Sequence, residues 1–137
     1  MNRIFYSIGF LSLGLFLFLS GCGKRNEFST TRVNGVVTCN GTPVSGGTIM
    51  FTPINTDKKS NSGKPASGEI DSQGQFILTT YTPEDGAIVG RHHVQILPPA
   101  LKDDHSKPVP YPCSDSTVEI EIQNGTGQDI RIEMSGS

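Results

Sequence analysis

Val33-Asn34-Gly35-Val36-Val37-Thr38-Cys39 runs into Asn40-Gly41-Thr42-Pro43-Val44 and then into Ser45-Gly46-Gly47-Thr48-Ile49-Met50-Phe51. The outer two runs alternate in the period-two manner of strands with one buried face. The middle run carries Asn40-Gly41, which favours positive φ, and Pro43, which presets φ, so it reads as a turn. Strand, turn, strand is the local plan, and it repeats to the C-terminus.

The first strand is expected over 32–39, with Val33, Gly35, Val37 and Cys39 on one face. A glycine at position 35, inside a strand, predicts a bulge or a close backbone approach. The second strand, 47–52, turns Ile49 and Phe51 inward and stops at Pro53, which cannot donate to a ladder. The polar stretch 54–65, with Lys58, Lys59 and Lys64, reads as a surface loop; it is either a solvated connection or a cationic contact patch. A short strand at 66–70 leads through Asp71-Ser72-Gln73-Gly74, a tight hairpin turn, to a strand at 75–80 that buries Phe76 and Leu78. Thr82-Pro83-Glu84-Asp85-Gly86 is a further turn.

In the strand at 88–97, His92, Val94 and Ile96 share one face, and His93, Gln95 and Leu97 the other. Pro98-Pro99 ends it. The loop 100–115 surrounds Tyr111 with Pro108, Pro110 and Pro112. The strand at 117–122 puts Val118, Ile120 and Ile122 inward and Glu119 and Glu121 outward. Asn124-Gly125 signals a hairpin, and 129–134 closes the chain with Ile130, Ile132 and Met134 inward. Seven short runs with turn residues between them, and no helical period after the N-terminus, predict an all-β, seven-stranded antiparallel β-sandwich.

The N-terminus carries Arg3 and an apolar run over 4–19, about the length of a signal h-region and short of the ~20 residues of a spanning helix. Leu19-Ser20-Gly21-Cys22 at its end resembles the bacterial lipobox. The resemblance implies a lipoprotein signal peptide over 1–21, acylation of Cys22, a lipidated tether over 22–31 and a domain over 32–137. An uncleaved anchor with a chance cysteine is the alternative. Several acyl chains hold a protein firmly on a bilayer, since each buried methylene contributes about 0.8 kcal/mol. The expected location is the cell envelope, lipid-anchored in a membrane, with the domain facing the periplasm or the exterior. Gly23 rather than Asp follows the cysteine; by resemblance to a sorting rule of some Gram-negative bacteria, this does not enforce inner-membrane retention.

The totals exclude some classes. A chain of 137 residues with formal net charge -2 has no clustered basic surface for nucleic acid. Its three cysteines, with no Cys-x-x-Cys, do not form a zinc motif, and no cofactor is expected. His92 and His93 are strand neighbours on opposite faces, so they cannot chelate one ion without a bulge. His105, in the loop, can join only one of them.

Val33-x-Gly35-x-Val37, Asn40-Gly41-x-Pro43-Val44, Gly47-x-Ile49-x-Phe51, Gly74-x-Phe76-x-Leu78 and Gly86-Ala87-x-x-Gly90 together resemble the carboxypeptidase regulatory-like, or transthyretin-like, domain. His92 departs from that pattern, where an aromatic such as Tyr is usual. The resemblance implies a seven-stranded sandwich serving as an accessory, adhesion or protein-contact module. With Cys22 taken by lipid, two cysteines are left in an oxidising compartment where pairing persists. In a transthyretin-like sandwich the end of the first strand and the start of the sixth lie close, which implies a disulfide between Cys39 and Cys113; two unpaired buried cysteines are the alternative.

The expected function is therefore non-enzymatic: display of a binding or structural β-domain at the envelope, with an unknown envelope protein or a glycan as partner. A carbohydrate-binding module is a second reading, resting on Tyr6, Tyr81 and Tyr111 in a chain without Trp. A transthyretin-related hydrolase acting on 5-hydroxyisourate is a third. That class ends in Tyr-Arg-Gly-Ser, whereas this chain ends Met134-Ser135-Gly136-Ser137 and embeds Arg131 in a strand pattern.

Overall fold

The computed structural model describes residues 28–55, 62–101 and 110–136. Among these residues it contains ten strands and no helix: β1 (Thr30–Thr31), β2 (Val33–Cys39), β3 (Thr42–Pro43), β4 (Thr48–Pro53), β5 (Ala66–Glu69), β6 (Gln75–Ile77), β7 (Ala87–Ile88), β8 (Gly90–Leu97), β9 (Val118–Ile122) and β10 (Gln128–Met134). The seven expected runs each overlap one of the longer strands; β4 extends through Pro53, which pairs with His92, and β10 begins at Gln128. Of the three two-residue strands, β1 precedes the expected runs, β3 lies in the segment read as a turn, and β7 overlaps the start of the run at 88–97.

Two four-stranded sheets form the sandwich. One is ordered β10-β2-β3, with β6 also on β2; the other is β5-β4-β8-β9. β1 and β7 make a separate two-stranded ribbon. Period-two patterning decides which side chains meet between the sheets. Val33, Val37, Ile132 and Met134 come from the β2 sheet, and Ile49, Phe51, Val94, Ile96 and Ile122 from the β4 sheet; all are essentially fully buried in one cluster. Burying side chains of this size contributes about 1.5–3 kcal/mol each.

The turns form for the reasons their residues supply. Asn40 (φ 50°) and Gly41 (φ 81°) make the two-residue loop of a β2–β3 hairpin, with Cys39 opposite Thr42. Glu133 of β10 steadies this loop, accepting the Gly41 N–H at 2.7 Å and the Thr38 hydroxyl. At 71–74 the Asp71 carboxylate accepts the N–H groups of Gln73 (2.8 Å) and Gln75 (2.9 Å). The strands on either side of this turn belong to different sheets, joined by the Ser67–Thr79 bridge and by the Asp71 N–H, which donates to the Gln75 carbonyl at 2.9 Å. The 75–80 run thus turns the sandwich corner: Leu78 N–H still bonds Val33 carbonyl at 2.9 Å, and Thr79 then pairs with Ser67.

Two features depart from the sequence expectation. β10 runs parallel to β2, with Gln128 opposite Val33 and Met134 opposite Cys39. The Asn124-Gly125 segment therefore closes no hairpin. β9 completes the other sheet against β8, and residues 123–127 carry the chain across the open side of the sandwich to β10. Local turn chemistry yields here to burial, because Ile132 and Met134 find their apolar partners beside β2. Gln128 marks the crossing: its Oε1 accepts Gln123 N–H at 3.1 Å, and its Nε2 donates to Glu121 carbonyl at 3.3 Å. Gly35 lies opposite Ile130 in the parallel pair, where a β-carbon would strike the Ile130 carbonyl, which is the close approach its position predicted.

Candidate functional site

Cys22, the signal segment 1–21, Tyr6, Lys58, Lys59 and His105 lie outside the described residues. Phe28 is within them, half-buried beside Gly63, and Thr30–Thr31 already pairs with Ala87–Ile88, so the folded body starts ahead of Arg32.

Cys39 and Cys113 stand at disulfide distance, with sulfurs 1.96 Å and α-carbons 5.9 Å apart. Cys39 is the last residue of β2; Cys113 lies in a left-handed turn (φ 51°) ahead of β9. Tyr111, two residues earlier, donates its hydroxyl to the Gly46 carbonyl, and Ser116 Oγ donates to Ser135 carbonyl at 2.7 Å. The described part of the proline-rich loop is thus fastened to the hairpin end of the sandwich.

The two adjacent histidines part as strand geometry requires. His93 is exposed on the outer face of β8. His92 is buried, opposite Pro53 of β4 and Ile120 of β9, with its ring 6.0 Å from that of Phe51. His92 Nδ1 shares a hydrogen bond with Gly90 carbonyl at 3.0 Å, while Nε2 has no partner. Burial holds its pKa below the usual value of 6.5, against the opposing pull of the Gly90 carbonyl. This environment makes His92 a core side chain. Among the described residues no group of three His, Cys, Asp or Glu side chains is placed to hold a metal ion. Tyr81 and Tyr111 are both half-buried, and Arg131 is exposed on the outer face of β10 rather than directed into the sandwich.

Among the described residues, a groove of about 730 Å³ lies on the outer face of the β2 sheet. Its floor is built by strand alternation. While Val33, Gly35 and Val37 face inward, Asn34 and Val36 face out, and register sets Asn34 beside both Ile77 of β6 and Asp129 of β10, with Val36 beside Gln75. Ile77 is 47% exposed, an apolar side chain standing with Val36 among polar neighbours on this face. Glu69 at the end of β5, Asp71 from the turn that follows it, and Arg32 and Glu84 complete the walls. Arg32 Nε donates to the Glu84 carbonyl at 3.3 Å, which fixes the rim near the 82–86 turn. That turn is itself rigid: the Asp85 carboxylate accepts the N–H groups of Thr80, Tyr81 and Thr82 at 2.7, 2.9 and 3.0 Å.

No protein family, characterised protein or solved structure matches this chain. The site is accordingly defined by its own chemistry. Four acidic residues and Arg32 line it around a partly apolar floor, and Arg131 stands beside Val36 on the same face. Sequence reading missed this groove because its residues come from five separate segments and are the polar positions that alternation assigns only to solvent. The local signals were Ile77 and Val36, apolar residues at outward positions of their strands.

Proposed function

We propose that this protein is a non-enzymatic cell-envelope lipoprotein, anchored through an acylated Cys22, that displays a transthyretin-like β-sandwich as a binding module for another envelope component. The observation that carries the binding part is the groove on the β2 sheet, a concave and partly apolar surface on a rigid framework. Two further observations support the setting. The lipobox-like Leu19-Ser20-Gly21-Cys22 follows an apolar run, and the paired Cys39 and Cys113 suit an oxidising compartment. An anchor at Cys22 stands ten residues from Arg32 on the groove rim, so the groove would lie within about 35 Å of the bilayer even with the link fully extended. Among the described residues, Tyr81 and Tyr111 are half-buried, and neither offers the glycan reading an open aromatic platform.

Mass spectrometry of the membrane-extracted chain tests the anchor: the N-terminal residue should be an acylated Cys22, and a retained Met1 refutes it. Cross-linking and pull-down from solubilised envelope tests the module. A partner should be retained by the native chain and lost on Ile77→Arg, which fills the groove; retention that ignores this substitution rules out the groove as the binding surface.

A further inference from the structure

We infer that the groove on the β2 sheet docks an extended polypeptide segment carrying Lys or Arg at alternate-face spacing around an apolar side chain. The inference rests on the binding-module reading above and names the class of its ligand. The groove floor is an unpartnered sheet face with Val36 and the 47% exposed Ile77 upon it. Its lining includes Glu69, Asp71, Glu84 and Asp129 and one cation, Arg32, with Arg131 adjoining it beside Val36. The carboxylates of Glu69, Glu84 and Asp129 enter no ion pair among the described residues. Arg131, in register with Val36 on the same face, is the neighbouring cation, so among the described residues the acidic side chains around the groove outnumber the guanidiniums, and a cationic partner complements that excess.

An extended segment suits this surface better than a compact cation. Side chains at i, i+2 and i+4 of a strand lie on one face, about 6.5–7 Å apart in succession. A basic–apolar–basic triplet at those positions sets the apolar group on Ile77 and Val36 while the two cations reach opposite rims. A compact cation engages the rim and leaves the apolar floor in water.

The test is an amide chemical-shift titration of the isotope-labelled full chain in a detergent micelle. The probe is the capped peptide Lys-Ser-Val-Ser-Lys, with Glu-Ser-Val-Ser-Glu as control. The lysine peptide should produce saturable shifts at Asn34, Val36, Gln75 and Ile77, and the glutamate peptide none there. Raising salt from 50 to 500 mM should weaken the lysine peptide by about tenfold or more. Combining Glu84→Gln with Asp129→Asn, both exposed positions, should cost about tenfold in affinity. Ile77→Ser, retaining every charge, should weaken binding severalfold and separates the apolar contact from charge attraction. Equal binding of both peptides, absence of saturable shifts on this face, or indifference to the double variant overturns the inference. The anchor and ligand readings fail separately, because Cys22→Ser removes acylation while leaving the groove intact. If the cationic peptide fails while an envelope partner is still lost on Ile77→Arg, the ligand class falls and the binding module stands.

Discussion

His92 is the residue where core packing and polarity conflict. A neutral imbalance is tolerated there: Nδ1 is bonded, Nε2 is not, and an unsatisfied buried polar atom costs about 1–3 kcal/mol. Its folded pKa lies below 6.5, so below that pH the unfolded chain binds the proton more readily. Stability is thus lost progressively as pH falls from about 6.5 toward the folded pKa, and regained above it. His92→Phe keeps an aromatic ring beside Phe51 and removes the titration. Urea unfolding should show the variant within about 1 kcal/mol of the native protein at pH 7.5 and more stable than it at pH 5; parallel pH profiles would exclude His92 as the source of the acid sensitivity. Asp85 acts in the opposite pH range. Partial burial pushes its pKa up, but the N–H bonds from Thr80, Thr82 and Tyr81 outweigh this and leave it below 3.8. Its contribution is therefore present above the ordinary carboxylate pKa and is lost as pH falls through the folded one. Asp85→Asn should destabilise by roughly 1–3 kcal/mol near neutrality, measured by the same unfolding, since three backbone donors lose their charged acceptor.

Among the elements, β2 and the loop ahead of β9 show how a covalent tie supplements packing. Cys39 and Cys113 are separated by 74 positions, and closing a loop of that length contributes about 4–5 kcal/mol in chain-entropy terms, less any native strain. The paired substitution Cys39→Ala and Cys113→Ala should lower stability to unfolding by a few kcal/mol, and non-reducing peptide mapping of exported protein should recover the two cysteines in one linked species. Recovery of both as free thiols would remove the bridge from the account. Neighbouring elements show which turns keep their local preference. Asn40-Gly41 does so because β3 lies directly against β2; Asn124-Gly125 does not, because its flanking strands belong to opposite sheets.

For the whole molecule, β2 is the structural centre, pairing β10 along its full length on one edge and β3 and β6 on the other. Opening it requires breaking one sheet entirely, whereas the β1–β7 ribbon is held by two residue pairs. Hydrogen exchange should therefore find the amides of Val37 and its neighbours in β2 among the slowest, and those of Thr30–Thr31 among the fastest. Equal protection of the two would mean that the sandwich opens as a single unit.

Alternation alone established the strands, their inward faces and the all-β class, because the identity of a strand's buried face is a local property of period two. The Asn40-Gly41 turn, the close approach at Gly35 and the opposed His92 and His93 were legible for the same local reason. Which sheet each strand joins, the parallel entry of β10 beside β2, and the meeting of Arg32, Glu69, Asp71, Glu84 and Asp129 around one groove were decided only in the tertiary structure. Those outcomes depend on long-range burial: Ile132 and Met134 gain more by packing against the β2 layer than Asn124-Gly125 gains by closing a hairpin, and outward residues carry no pattern that says which of them will share a concavity.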